Sequence, residues 1–222
     1  AVAANASDTG NGGGSVVGAY QINTGLDSTI FGSGWGAGVW NAADHGWGEA
    51  ATTIVQQGTL RIWTHDNFGE DLLLNVRDGG IYYWDKSSGL TNAAVNITSL
   101  AGANSTPTVA KHVLVSDRDR HVLAFGCDTE ANPGVQDPLA IRFSSQESLT
   151  DWSATAANTA GELRLGSGSE IVSVVETRQQ ILVFTDKSLY TMQYLGPPFT
   201  FGVDLISENT SIISPLAAVA VQ

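Results

Sequence analysis

The chain has 222 residues, enough to bury one large core or two small ones. Only 14% are charged, against about 25% in an average soluble protein, and 25 glycines with 6 tryptophans point to turns and stacked sheets rather than solvated helices. With 22 acidic and 10 basic residues the net charge is −12, which excludes a phosphate-gripping nucleic-acid binder but suits an acidic wall that DNA slides past without sticking.

The chain starts at Ala1 without a methionine, which reads as processing or as a piece of a longer protein. No run approaches the ~18 consecutive apolar residues of a membrane span, so none is expected, and no signal peptide is visible. Residues 1–52 are expected to be a Gly/Trp-rich arm and loop. The first fifteen, AVAANASDTGNGGGS, are small, polar and Gly-rich, as in a flexible lead-in. Then come Gly32-Ser-Gly-Trp-Gly-Ala-Gly-Val-Trp40 and His45-Gly-Trp-Gly48. Glycine disfavours a helix here, so Trp35, Trp40 and Trp47 are read as interaction residues. They either plug pockets at a packing or subunit contact, or form an aromatic platform for a sugar. Packing is the preferred reading.

Residues 53–222 change to short β-rich runs separated by turns. Thr59–His65 alternates, Asp66–Gly69 turns, and Leu72–Arg77 follows. The triplet Asp78-Gly79-Gly80 predicts a hairpin, on the ground that glycine accepts positive φ. Ile81–Trp84 completes it, and Ala93–Thr98 is a fourth strand. The unit recurs with strands over Thr108–Val115, His121–Phe125 and Leu139–Phe143, and again over Glu170–Glu176, Gln180–Phe184 and Leu189–Tyr194. The hairpins after Val76 and Phe184 align, Asp78 with Asp186, Ile81 with Leu189 and Tyr82 with Tyr190. Turns near 79, 132 and 187 give a period of roughly 50 residues, that of β-propeller blades. The expected fold is therefore all-β, with propeller-like blades of antiparallel strands, a sandwich being the competing arrangement. Ala217–Gln222 looks like the opening strand of a further blade. About three blades are present where closure takes four to eight, so the chain is truncated or other segments close the ring.

No catalytic residue, cofactor site or metal site is assigned. Cys127 ends an apolar run and reads as a passive strand-end residue, and the four histidines are too scattered for a zinc site. Asp66–Asp71 brings oxygen ligands together without EF-hand spacing, which favours a solvated turn over a calcium cup. Asp117–Arg120 reads as a charged hairpin tip. Glu147 and Asp151 as a glycosidase pair is the weaker reading beside a structural one.

Four stretches resemble, in this order, segments of tailed-phage structural proteins. They are Tyr20–Leu26 with the Gly/Trp loop, Trp63–Asp71, Phe143–Trp152, and Leu189–Phe199 followed by Glu208-Asn209 and Ile213–Pro215. Over residues 17–219 the chain resembles the tail hub or nozzle, packaged-DNA stabilisation-like, of short-tailed bacteriophages. The resemblance implies a non-enzymatic virion subunit assembled in the bacterial cytoplasm. It implies a homo-oligomeric ring, usually a hexamer, beside tail adaptor and fibre proteins, around a channel that retains and ejects DNA without sequence-specific binding. The alternative is a carbohydrate-binding propeller at the tail tip that recognises a receptor. Members of that family are much longer and carry later blades.

Overall fold

A computed structural model describes residues 62–116, 118–196 and 199–220. Ile62–Gln222 is one compact unit. The expected arm over 1–52 and its boundary at 53 lie outside the described residues.

The described residues are all-β and form three four-stranded antiparallel sheets, each an up-and-down meander in chain order. The first contains β1 (Trp63–Phe68), β2 (Asp71–Val76), β3 (Ile81–Trp84) and β4 (Val95–Asn96). The second contains β5 (His112–Val115), β6 (Val122–Phe125), β7 (Ala140–Phe143) and β8 (Gly161–Arg164). The third contains β9 (Ile171–Glu176), β10 (Ile181–Thr185), β11 (Leu189–Gly196) and β12 (Thr200–Ser207).

The second sheet is buried on both faces, which explains why β6 and β7 read as unbroken apolar runs apart from Arg142. Its residues alternate between two cores. Leu114, Leu123, Phe125, Ile141 and Phe143 pack against Ile171, Val174, Val183, Tyr190 and Met192 of the third sheet. Val113, Val115, Val122, Ala124 and Ala140 pack against Leu73 and Ile81 of the first, with Trp152 filling the space beside the small alanines. The outer sheets show alternating burial instead, as in β1 and β10. Arg142 pairs with Ala124, and its guanidinium donates to the carbonyls of Ser105, Asp128 and Trp152 and ties three loops together.

Successive sheets are joined in the same way. The chain leaving the first sheet donates Ala110 N–H to Gly79 O at 2.9 Å, and the chain leaving the second donates Ile171 N–H to Pro138 O at 2.9 Å. After the third sheet, Thr210 N–H reaches Lys187 O at 3.1 Å. Gly79, Pro138 and Lys187 all lie between the second and third strands of their sheets. The turns read at 79, 132 and 187 are thus equivalent, and Ile81 and Leu189 both open third strands.

Several expectations are corrected. The positive φ of the 78–80 turn falls on Asp78 (58°), not on either glycine. Aspartate tolerates the left-handed region, and Gly80 serves close approach, since a Cβ there would lie 2.8 Å from Asn96 Nδ2. The strand over Thr108–Val115 shrinks to four residues because Thr108 N–H, Thr108 Oγ1 and Val109 N–H all donate to the buried Asp128 carboxylate. β4 keeps two residues, because Asn96 Oδ1 accepts from Thr98 N–H and opens a 3₁₀ turn. The strand expected from Ala217 is absent among the described residues 217–220. β8 and β12 were not anticipated; β8 offers only Leu163 as an apolar signal.

Candidate functional site

Trp35, Trp40 and Trp47, the interaction residues read from the sequence, lie outside the described residues. The described unit concentrates its polar chemistry at two places, one closed and one open.

The closed place is the junction of the three sheets. Lys111 precedes β5, and its buried ammonium lies 3.0 Å from Asp78 Oδ1 of the first sheet and 2.8 Å from Glu170 Oε2 at the start of the third. Arg77 donates to Val172 O at 3.1 Å and Ile171 O at 3.2 Å. Burial opposes ionisation of Asp78, but hydrogen bonds from Lys111 and Gln136 and the charges of Lys111 and Arg77 outweigh it, and its pKa is lowered. Beside Arg77, burial pushes the His112 imidazole down to about 4, with the guanidinium adding to the effect. The imidazole is therefore neutral at pH 7. Each charged group of this junction is engaged by another element, so it staples the sheets.

The open place is a cleft of about 150 Å³ between the β5–β6 turn and the β9–β10 turn. Arg118 and Asp119 rim one side, Glu176 to Gln180 the other, and Gln193 and Tyr194 enter from β11. Met192 and Phe201 make its floor, in the core between the second and third sheets. The β9–β10 turn is held by Thr177, whose N–H and Oγ1 both donate to Gln180 O, at 2.9 and 2.6 Å. The Gln180 side chain is fixed as well: its Oε1 accepts from Thr191 Oγ1 at 2.7 Å and Gln193 Nε2 at 3.1 Å. Behind Tyr194 and Phe201 stands the buried His121, its ring centroid 5.7 and 5.2 Å from theirs. Burial lowers the pKa of His121, and its Nε2 lies 3.0 Å from Thr159 Oγ1.

Other sequence candidates are dispersed by their partners. In the 66–71 stretch, Asp66 accepts from Val115 N–H at 2.7 Å, Asp71 from Tyr83 Oη at 2.6 Å, and Glu70 pairs with Lys86 at 3.0 Å. Burial and the hydrogen bond to Asp71 together raise the Tyr83 pKa. Glu147 pairs with Arg120 at 3.5 Å, whereas Asp151 accepts from Asn158 Nδ2 at 2.9 Å. Burial pushes the Cys127 thiol up to about 12, so it is protonated at neutral pH and a poor nucleophile. No group of three or more His, Cys, Asp or Glu residues poised for a metal occurs among the described residues.

The sequence pointed to Asp117–Arg120 only as a charged hairpin tip, and not to the meeting of residues 118–119 with the 176–180 turn. The available signal was the polar run Thr177-Arg178-Gln179-Gln180, longer than a two-residue hairpin needs. Among the described residues, no helix is long and apolar enough to cross a membrane. Comparison with protein-family models and with curated proteins gives no match for the chain.

Proposed function

We propose that this chain is a structural, non-enzymatic component of a phage tail, a nozzle or hub subunit contributing to a ring around the DNA conduit. The observation that carries the reading is the stack of three four-stranded meanders joined by one repeated connection. Such a stack supports the reading of the three sheets as propeller-like blades, a fold that closes with four to eight. Three of the phage-like stretches fall within that stack. Trp63–Asp71 covers β1 and the turn into β2, Phe143–Trp152 leads from β7 to the buried Trp152, and Leu189–Phe199 includes β11.

Electrostatics support the same use. Most described cations have partners within the chain: Arg77 and Arg142 bond backbone carbonyls, and Lys86, Lys111, Arg120 and Arg164 pair with carboxylates. A chain of net charge −12 whose described cations are mostly paired offers little to grip DNA and repels it at a distance. In this reading copies of the chain, six by the resemblance, assemble beside adaptor and fibre proteins in the virion. Cryo-electron microscopy of the parent particle tests it: density for this chain is expected in a ring below the portal. Finding the chain anywhere but a tail ring overturns the reading.

A further inference from the structure

We infer that the cleft between the β5–β6 and β9–β10 turns is a binding site for a neutral saccharide. The inference does not depend on the tail reading, since it rests on the chemistry of the cleft alone.

Three properties select the ligand. Charge comes first. Among the described residues, the cleft brings together two guanidiniums, Arg118 and Arg178, and two carboxylates, Asp119 and Glu176. This balance disfavours a phosphate chain, which the carboxylates repel, and a polycation, which the guanidiniums repel. Polarity comes second. Small-molecule pockets are mostly lined by apolar side chains with a few polar groups, whereas this rim is almost wholly polar, which suits a ligand already rich in hydrogen-bonding groups. A sugar hydroxyl both donates and accepts, so it needs both kinds of partner side by side. Arg118 and Arg178 supply donors, the Asp119 carboxylate supplies acceptors, and the amides of Gln179, Gln180 and Gln193 supply both.

Preorganisation is the third property. With Gln180 Oε1 occupied by Thr191 and Gln193, the Gln180 Nε2 and Gln193 Oε1 remain uncommitted toward the described residues. Holding such groups in place before binding lowers the entropy cost of ordering them. The half-buried Tyr194 ring, steadied edge-on by Phe201 at 5.5 Å, adds an aromatic surface of the kind that receives the C–H side of a sugar ring.

The test is an amide-shift titration of the ¹⁵N-labelled full chain with glucose, galactose, mannose and N-acetylglucosamine and their disaccharides, with inorganic tripolyphosphate as the anionic comparison. At least one saccharide is expected to move the amides of residues 116–120, 176–180 and 193–194, with millimolar affinity for a single ring. The double substitution Arg178→Ala with Gln193→Ala, both exposed side chains, is expected to weaken that binding at least tenfold without altering the remaining spectrum. No saccharide response at millimolar concentration, a response confined to other residues, or a stronger response to tripolyphosphate overturns the inference. Because the titration of the unmodified chain locates the binding, the result stands even where the double variant folds poorly. None of these outcomes bears on the tail ring, which only the particle's structure decides.

Discussion

At the scale of single residues, burial of polar groups separates the parts of this chain that hold it together from those free to act. Lys111 is a charged side chain almost withdrawn from water, tolerable because carboxylates from two other sheets reach it. Its neighbour in sequence, His112, has no such compensation: its buried Nδ1 has no hydrogen-bond partner among the described residues, and burial pushes its pKa down to about 4. A folded-state pKa below the unfolded 6.5 means that the unfolded chain binds the proton first. Stability is therefore complete above pH 6.5 and falls as the pH is lowered toward 4. One such proton contributes a slope of up to about 1.4 kcal/mol per pH unit in that window. His121, shifted in the same direction, adds to it. Replacing His112 by Phe keeps a ring opposite Phe125 and is expected to flatten the dependence by about one proton, as measured by urea denaturation from pH 7.5 to 4.5. Asp78, held below its usual 3.8, adds acid sensitivity only at lower pH, so the two contributions separate.

At the scale of elements, the strands were legible where side chains alternate or where both faces are buried, and turns where Asp and Gly cluster, except that Asp66 to Phe68, expected in a turn, extend β1 and pair with β2. β6 and β7 are apolar throughout except for Arg142, and burial alternates along β1 and the second half of β2. β8 escaped notice because Gly161-Glu-Leu-Arg164 carries one apolar side chain and is a strand only through its pairing with β7. Gly161 faces Phe143 in that pairing, and a Cβ placed there would lie 2.6 Å from the phenyl Cζ. The position thus demands glycine for space, because the aromatic ring lies across the backbone of the edge strand. Gly161→Val is expected to cost about 2–3 kcal/mol through overpacking, and Gly161→Ala less, read as a drop in thermal midpoint. An equal effect of the two substitutions would argue against a size limit.

At the scale of the whole described unit, the second sheet is the keystone, since both of its faces form cores shared with its neighbours. Opening the first or third sheet removes one core, whereas opening the second removes both. Hydrogen exchange should therefore be slowest in β5 to β7 and follow the global unfolding free energy there. β4 and the exposed Asp204–Ile206 end of β12 should exchange by cheaper local openings. Exchange from β6 as fast as from β12 would show that the stacked cores do not unfold together.

Sequence alone determined that this chain is β-rich, where its main turns lie, and that second–third strand turns recur at roughly 50 residues. These properties are local: they follow from backbone preference and from side-chain alternation over a few residues, so neighbours along the chain suffice to express them. The tertiary structure decided which faces are buried, that Asp128 draws in Thr108 and Val109 and shortens β5, and that Lys111 joins groups from positions 78 and 170. It also brought the 118–119 tip against the 176–180 turn to make the cleft. Those outcomes depend on which sheet packs on which, a property of long-range contacts that no local pattern carries.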